Sequence, residues 1–534
     1  MILENNLLTK RALAKRAALF CVLWGSAFSL QAQQSLPTPV TTAPITARPE
    51  GKQIMNQVRK ATSFYSTGTD GAAIDSVDYY IGDLVEAADG TVYLKNPFTY
   101  FPSGTWLKLD RLSGDTLVAR LPQAIFEDPD DDNAVYYASR LTLTSSESGQ
   151  TYGIERKQDG SYACDVKFLY SNGTLTMING DGETDGMPKS ILGVVSASGG
   201  WGEYGEAALS VRPLTLSPVQ LPSGIHRQLC SFTYTDYYGD VSETLEMGIS
   251  GNKVYLANPF TSEDVQWIEG TIEGDSVVFT SQYLGANRSA GYHMFFCPGV
   301  YSDLYEEGYE LAPRLTFAYD KTKGTLTADD PKSMLINVGD QRLYYAAAYR
   351  SPKLAISNVA VARPANPVID QFSKPSGNDA GSLQFTLPSQ DVNGQSLFKG
   401  NLYYKIYTGE GKTFVFDPSE YNKLDAALDE VAYGFSDNHD FFFSDDTHLF
   451  YIYGKVDSIG VQSIYKGDSE LRSDIVWTTG KTTSSVSLIP ATTKVVGISY
   501  YSLDGRRINE PSRGMFIRQR KTADGKTYTD KIIK

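Results

Sequence analysis

The chain is poor in the side chains that most often carry chemistry in proteins. It has four cysteines and only four histidines: His226, His293, His439 and His448. No two histidines have the spacing of zinc ligands on one helix, and the cysteine spacing matches neither a metal site nor a redox pair. The sequence has no Gly-x-Ser-x-Gly turn, no phosphate-binding loop and no setting for a cysteine nucleophile. No catalytic residue can be nominated, and a non-enzyme is favoured over an enzyme.

Long hydrophobic runs are absent except near the N-terminus. There, four basic residues between positions 10 and 16 precede an apolar segment over residues 17–30, which is short for a membrane-spanning helix. A basic start, a short apolar run and a small final residue are typical of a signal peptide. We predict a signal peptide over residues 1–32 with cleavage after Ala32, a mature chain without a transmembrane segment, and a secreted or surface-displayed protein.

Positive charge is scarce relative to negative charge. The chain has 48 Lys and Arg against 62 Asp and Glu, a formal net charge of −14. Because this field repels a phosphate backbone, we expect no nucleic-acid partner. An acidic surface also keeps an exported protein soluble, which is the simpler explanation of the charge.

Three cysteines, Cys164, Cys230 and Cys297, follow the predicted signal peptide. An exported protein can form disulfides, and Cys230 and Cys297 fall in the same half of the repeat described next. The alternative is that all three are small, buried apolar side chains. A Cys230–Cys297 disulfide and three free thiols are therefore both open.

What the chain does have is an internal duplication. The segment Tyr-Leu-Lys-Asn-Pro-Phe-Thr at residues 93–99 returns as Tyr-Leu-Ala-Asn-Pro-Phe-Thr at residues 255–261, and each is followed by a tryptophan and a Gly-Asp pair. A period this long indicates a duplicated folding unit rather than a short solenoid repeat. We predict copy 1 over residues 53–216 and copy 2 over residues 217–358.

The copies match further along the chain, for example at Phe168 and Phe317 and at a later Pro-Lys-Ser segment. The offset shrinks toward the later matches, so copy 2 has lost residues, which we place in surface loops. The shared residues are aromatics, turn formers and Asn-Pro, which suit a strand framework. A turn explains the one shared acidic pair, Asp115 and Asp275, better than catalysis does.

Composition and patterning predict an all-β fold with several domains. Tyr, Phe, Val, Thr and Gly are abundant, long stretches of helical periodicity are missing, and 534 residues exceed one hydrophobic core. Apolar runs flanking the Gly-Asp pairs read as hairpins. We therefore predict two duplicated antiparallel β-domains, preceded by a Pro/Thr-rich linker over residues 33–52 that is extended or disordered.

The pattern changes after a second Pro-rich linker near residue 363. Strand-length apolar or alternating runs follow at residues 382–387, 402–407, 449–453 and 460–465. Separated by turn residues, they predict a fibronectin-type or immunoglobulin-like sandwich over residues 359–480. Only Tyr421 to Val431 reads as a candidate helix.

The last forty residues carry a more specific signal. Val-Gly-Ile-Ser-Tyr-Tyr-Ser-Leu-Asp-Gly-Arg-Arg at 496–507 is followed by Arg-Gly-Met-Phe-Ile at 513–517 and Lys-Ile-Ile-Lys at 531–534. This order resembles the C-terminal sorting domain of type IX secretion substrates. The resemblance implies a linker over 481–494, a β sorting domain over 495–534, the type IX machinery as partner, and display outside the outer membrane of a Gram-negative bacterium. The alternative is a small terminal β-element packed on the sandwich.

Further segments resemble an uncharacterised family of secreted bacterial β-proteins. They are Val-Tyr-Leu at 254–256, Trp-Ile-Glu-Gly-Thr at 267–271 and Gly-Val-Gln-Ser-Ile-Tyr at 460–465. No activity is implied by this likeness. Four Asp-Ser or Asp-Thr tripeptides also resemble the periplasmic O-glycosylation acceptor of such bacteria, although turn chemistry alone accounts for them. The implied acceptors are Ser76, Thr116, Ser276 and Ser458.

One acidic segment follows the opening of a calcium loop. Asp181, Glu183 and Asp185 have the spacing of the first ligands, but Leu192 occupies the twelfth position, where a bidentate carboxylate is needed. Calcium is the only cofactor that the sequence brings into question, and we expect none.

We predict that the protein acts by non-catalytic binding, with glycans or host and matrix surfaces as candidate ligands. Trp106, Trp201 and Trp267 are the candidate ligand-binding residues, because exposed rings stack on sugars, although tryptophans more often lie in cores. Two alternatives stay open. One is a secreted, glycosidase-like hydrolase whose paired carboxylates converge only in the fold. The other is a structural component of the envelope.

Overall fold

The computed structural model describes most of the chain after residue 35. The described residues are 36–68, 71–129, 131–146, 149–178, 182–184, 186–257, 266–304, 308–376, 379–409, 411–424, 426–444, 446–479, 495–501, 507–508, 515–522 and 527–533. The chain forms two compact units, unit 1 over Met1–Ala360 and unit 2 over Val361–Lys534. The fold is all-β, as predicted. Within the described ranges the elements are 40 β-strands and one turn of 3₁₀-helix at Lys399–Asn401.

Fourteen strands build copy 1. They are β1 Lys52–Ser66, β2 Ala72–Glu86, β3 Val92–Lys95, β4 Trp106–Ser113, β5 Thr116–Ala119, β6 Gln123–Asp128, β7 Ala134–Ser146, β8 Gly149–Gly153, β9 Val166–Ser171, β10 Thr174–Met177, β11 Glu183–Thr184, β12 Met187–Pro188, β13 Ser190–Val195 and β14 Trp201–Arg212.

Twelve strands build copy 2. They are β15 Arg227–Thr235, β16 Asp240–Ser250, β17 Lys253–Ala257, β18 Trp267–Glu273, β19 Ser276–Phe279, β20 Gln282–Asn287, β21 Tyr292–Tyr301, β22 Tyr309–Leu311, β23 Leu315–Asp320, β24 Thr325–Thr327, β25 Lys332–Val338 and β26 Tyr345–Ile356. The short β11–β12 hairpin of copy 1 has no counterpart among these strands, which locates one of the deletions.

The two copies share one pairing scheme. In copy 1 the strands β1-β2-β3-β4-β5-β9-β10-β14 pair in that order, and β14 pairs back to β1, which closes a ring of eight antiparallel strands. The first part of β14 also pairs with β13 in a second sheet with β7, β6 and β8. Copy 2 repeats every one of these pairings with β15 to β26. The duplication inferred from short sequence matches is thus a duplication of topology.

The crossing between ring and second sheet is built in the same way in both copies. Ala208 in β14 and Ser351 in β26 have left-handed backbones, with φ of 50° and 52°. Each lies where one extra residue shifts the register, between the partners of Lys60 and Thr62 in copy 1 and of Thr233 and Thr235 in copy 2. Such bulges bend a strand. This bend lets one strand serve both sheets.

A glutamine side chain joins the second sheet to the ring in each copy, at buried Gln123 and half-buried Gln282. The Gln123 side chain accepts from Lys108 N–H at 3.0 Å and donates to Lys108 O at 2.9 Å. Gln282 accepts from Glu269 N–H and donates to Glu269 O, both at 2.7 Å. The amide therefore replaces a strand partner for a backbone unit that would otherwise stay unpaired.

We expect Gln123→Ala and Gln282→Ala each to lower the free energy of unfolding by about 1–3 kcal/mol, because each leaves a backbone N–H and C=O without partners. Urea unfolding of the full chain measures the effect. Gln220→Ala, at an exposed glutamine, is the control and should change stability little. Equal stability of all three variants would show that the glutamine contacts contribute nothing.

Shared side chains fill the cores of both copies. Phe168 and Phe317 are each fully buried and pair with equivalent strands. The backbone carbonyls of Asp115 and Asp275 each accept from a tyrosine N–H, of Tyr170 and Tyr319, at 2.8 Å. The side chain of Asp275 is 93% exposed, which fits the turn explanation of this pair.

Residues 36–51 lie along copy 1. Val40 N–H donates to Pro122 O at 2.7 Å, and Trp106 N–H donates to Ile45 O at 2.9 Å. This part of the predicted linker is therefore docked on the fold.

Unit 2 contains the predicted sandwich. Its strands are β27 Val368–Ser373, β28 Gly381–Thr386, β29 Leu402–Thr408, β30 Lys412–Thr413, β31 Val431–Ala432, β32 Phe441–Ser444, β33 Thr447–Ile452, β34 Ile459–Lys466, β35 Glu470–Arg472 and β36 Val476–Thr478. One sheet has the order β27-β28-β33-β32 and the other β30-β29-β34-β35. This is the strand order of an immunoglobulin-like sandwich. The sheets meet through Phe385 and Tyr404, whose ring centroids lie 5.0 Å apart.

The candidate helix at Tyr421 to Val431 is not formed in its described residues. Phe416 and Leu428 exchange two backbone hydrogen bonds of 2.8 and 3.0 Å, so the segment folds back on itself. Tyr421 is fully buried with its ring 5.1 Å from that of Phe416. Aromatic packing thus overrides local helical preference.

The C-terminal segment forms a small sheet in the order β38-β37-β39-β40. The strands are β37 Val495–Tyr501, β38 Arg507–Ile508, β39 Met515–Thr522 and β40 Thr527–Ile533. Assignment of this sheet as a sorting domain stays a prediction.

Within the described residues, Cys164, Cys230 and Cys297 are buried free thiols. Cys230 lies in β15 and Cys297 in β21, which are not paired with each other. The proposed Cys230–Cys297 disulfide is corrected accordingly. Burial raises the pKa of both thiols to about 12, so they remain protonated at neutral pH.

Candidate functional site

The two copies meet at the middle of β2. Tyr80 of copy 1 bridges to Tyr292 of copy 2, and Ile81 N–H donates to Gly291 O at 2.8 Å. Arg288 of copy 2 reaches the buried Asp83 carboxylate of copy 1 at 2.8 Å. Backbone, aromatic and ionic contacts therefore fix the relative positions of the copies.

A single extra residue in β2 shapes this contact. Between Arg59 and Ala61 the β1–β2 register shifts, and Tyr79 in the bulge has a left-handed φ of 60°. The equivalent β15–β16 pairing runs without a shift. The Tyr79 ring packs 4.7 Å from Phe295 of copy 2. Gly339 of copy 2 makes room for it, because a Cβ there would lie 2.6 Å from the ring.

Beside this contact lies a cavity of about 200 Å³ that both copies line. Copy 1 contributes Lys60 and residues 75–80, and copy 2 contributes residues 338, 339, 341, 342 and 344. The lining combines tyrosine rings with two carboxylates, two cations and one amide side chain. We call it the inter-copy cavity.

Both carboxylates in the inter-copy cavity are paired. Asp75 accepts from Tyr100 Oη at 2.7 Å and from Arg342 Nη1 at 2.5 Å. Asp78 lies 3.4 Å from Lys60 Nζ and 3.8 Å from Arg212 Nη2. The cavity wall is therefore a set of charges neutralised in pairs, with donors and acceptors held in fixed directions.

The tyrosines around Asp75 stay neutral. Burial and the neighbouring Tyr344 raise the pKa of Tyr80, and burial and the neighbouring Tyr80 raise the pKa of Tyr100. The hydrogen bond to Asp75 raises the pKa of Arg342. Tyr80 and Arg342 line the cavity and can donate hydrogen bonds to a ligand, whereas the Tyr100 hydroxyl is donated to Asp75. Neither tyrosine is poised to remove a proton at neutral pH.

The tryptophans chosen from the sequence do not line this cavity. Trp106 and Trp267 are only 3% and 8% exposed, so their faces are closed to a dissolved sugar. Both are removed from the candidate ligand-binding residues, since in each copy the β4-type strand packs its tryptophan into the core. Trp201 is partly exposed, but it packs on Tyr152 at 5.0 Å and donates to Tyr204 O.

The other sequence-predicted positions are scattered. Glu183 is exposed in β11, while Asp181, Asp185 and Ala32 lie outside the described residues. In the part of the chain that the structure describes, no group of three or more His, Cys, Asp or Glu side chains could hold a metal ion. Thr116, Ser276 and Ser458 are partly exposed. Ser76 is exposed and lines the inter-copy cavity.

Sequence reasoning missed Asp78, Tyr79, Tyr80 and Arg342. One signal was available. Aligned on their common pairings, β2 has one residue more than β16 between Val77 and Tyr80. An insertion inside a strand of a duplicated unit indicates a bulge, and bulges often lie beside functional sites.

No model of a known protein family and no curated protein matches the chain. Among the described residues, no helix is long and apolar enough to cross a membrane.

Proposed function

We propose that the chain is an exported binding protein that takes one sugar residue, or a polar group of similar size, in the inter-copy cavity. The observation that carries the proposal is the lining itself. Tyrosine faces suit the apolar face of a sugar, and fixed charged groups suit its hydroxyls. At about 200 Å³ the cavity fits a small ligand or the end residue of a longer glycan.

Hydrolysis is the second candidate. Asp75 and Asp78 both line the cavity, and two carboxylates in a cleft are what a glycosidase requires. The contacts of these carboxylates favour binding over hydrolysis, because Asp75 is hydrogen-bonded to Tyr100 and Arg342, and Asp78 lies beside Lys60 and Arg212. Both side chains are therefore already engaged within the protein.

The binding proposal predicts that the mature chain selects glycans on an array. We expect Arg342→Ala and Tyr344→Ala each to weaken the affinity for the best-bound oligosaccharide by about 10- to 100-fold, through loss of a charged hydrogen bond or a stacking face. Isothermal titration calorimetry measures it. Tyr237→Ala is the control, since Tyr237 is 75% exposed and outside the cavity. Unchanged affinity in both cavity variants would place the ligand elsewhere.

Chromogenic glycosides and peptides test the alternative. Turnover by the wild-type chain that is lost in Asp75→Asn or Asp78→Asn would replace binding by hydrolysis. Silence in the array and in the turnover assays would favour a structural component of the envelope.

The export proposal rests on the sequence signals at the two ends of the chain and on the resemblance to type IX substrates. Cell fractionation with and without residues 495–534 tests it. Surface display that persists in the truncated protein would contradict the sorting role of the C-terminal sheet.

A further inference from the structure

Copy 1 buries an arginine and a glutamate where copy 2 places two aromatic rings. Arg59 precedes the register shift of β1 by one residue, as Phe232 does in β15. Glu206 precedes the left-handed Ala208 by two residues, as Tyr349 precedes Ser351. Arg59 and Glu206 are 1% and 0% exposed. At the same two places in copy 2, Phe232 and Tyr349 have ring centroids 6.0 Å apart.

These two buried opposite charges are not needed to complete the fold. Bringing two charges out of water costs free energy that their attraction recovers only in part, and apolar replacements of buried pairs are often neutral or stabilising. Copy 2 closes the same ring of strands with the aromatic side chains of Phe232 and Tyr349 in place of the charges. Burial also lowers the pKa of Arg59 and raises the pKa of Glu206, as expected where desolvation is incompletely offset.

Both members of the pair hold the same stretch of backbone. Arg59 Nη2 donates to Lys95 O at 3.1 Å, and Glu206 Oε1 accepts from Thr99 N–H at 2.5 Å. Ser63 donates to the other Glu206 oxygen at 2.8 Å. Arg59 and Glu206 thus hold the connection between β3 and β4 at two backbone positions, Lys95 and Thr99, which are four residues apart.

That connection contacts the wall of the inter-copy cavity through Asp75, which lines it. Tyr100 follows Thr99 in the chain, and its hydroxyl donates to Asp75 at 2.7 Å. Asp75 in turn accepts from Arg342 of copy 2. A short chain of contacts therefore runs from the buried charges through Thr99 and Tyr100 to the cavity wall.

We propose that Arg59 and Glu206 are positioning residues that hold Tyr100 against Asp75 and so set the shape of the inter-copy cavity. The inference rests on the proposed function, since the cavity is its ligand site. Under this proposal, the two buried charges order residues 96–105, which connect β3 and β4, and do not stabilise the fold.

The test moves the copy 2 pair into copy 1, as Arg59→Phe combined with Glu206→Tyr in the full chain. We expect the double variant to fold with an unfolding temperature close to that of the wild type, while the Thr99 amide exchanges with solvent about 10- to 100-fold faster. Tyr100 should also become more reactive toward tetranitromethane. Hydrogen exchange by mass spectrometry and mapping of nitrated peptides give the two readouts without any ligand.

Two further variants sharpen the result. Glu206→Gln retains an acceptor oxygen and should keep Thr99 protected. Arg59→Phe alone removes the positive charge that favours the buried Glu206 carboxylate and should be less stable than the double variant. If the aromatic pair does not fold in copy 1, Arg59→Met with Glu206→Met carries the same test. Wild-type protection of Thr99 and wild-type nitration of Tyr100 in a folded double variant would overturn the proposal, whatever the glycan assays show.

Discussion

Replacement of Phe168 by alanine is expected to lower the free energy of unfolding by about 3–5 kcal/mol, and replacement of Phe317 by about the same amount. Both rings are fully buried, Phe168 in β9 and Phe317 in β23. Each lies opposite the same strand of its copy, at Leu117 or Val277. Truncation leaves a cavity in a closed ring of strands, where little relaxation can fill it. Denaturant unfolding of the full chain measures both losses.

Leu169→Ala is the matched control for this experiment. Leu169 follows Phe168 in the same strand but is 42% exposed, because successive side chains alternate between faces. We expect it to cost well under half as much as Phe168→Ala. A large loss in copy 1 with almost none in copy 2 would contradict the equivalence of the two cores.

The second large effect is a dependence of unit 2 stability on acid. Burial lowers the pKa of His448 from 6.5 to about 4, although Tyr433 O accepts from its ring and the Asp446 carboxylate favours the charged form. The ring stacks on Phe385 at 5.0 Å. The folded state therefore keeps His448 neutral at a pH where the unfolded chain protonates it.

The direction of the pH dependence follows from that difference in pKa. The contribution of the neutral His448 ring to the stability of the folded state is complete above pH 6.5, and it is lost as the pH falls toward 4. It amounts to about 3 kcal/mol, at 1.36 kcal/mol for each unit of pKa. We expect His448→Phe to be less stable than the wild type at pH 7 but to lose less stability between pH 7 and pH 4. Denaturant unfolding, with hydrogen exchange of β28 and β33 to follow unit 2, measures the slope.

The control is His439→Gln, at a side chain that is 49% exposed. It should retain the acid dependence of the wild type. A wild-type slope in His448→Phe would mean that other groups cause the loss of stability in acid.

Much of the architecture was accessible from the sequence. Aromatics, Gly-Asp pairs and Asn-Pro matched between copies because they build turns and cores, and Phe168 and Phe317 do occupy equivalent buried sites. Alternating runs also identified the sandwich. These signals are local, since strand periodicity and turn chemistry are properties of a few consecutive residues.

The candidate site was not accessible in the same way. Asp75 and Arg342 are 267 residues apart and meet only because β2 of copy 1 docks on copy 2. A search for residues that the two copies share cannot find the inter-copy cavity, because the cavity is built from residues that differ between the copies. The tryptophans were poor predictors of the ligand site for the opposite reason. Trp106 and Trp267 match because they belong to the common core.

Every strand of the closed ring in copy 1 has a hydrogen-bonded neighbour on both sides, and copy 2 repeats the arrangement. Unpaired strand edges are the templates on which β-proteins assemble into fibres. Two adjacent, similar β-domains in one chain would otherwise invite exchange of strands between molecules. Because the ring strands are all paired within their own copy, they offer no free edge to another molecule. We therefore expect the protein to resist edge-to-edge aggregation through these strands even at high concentration.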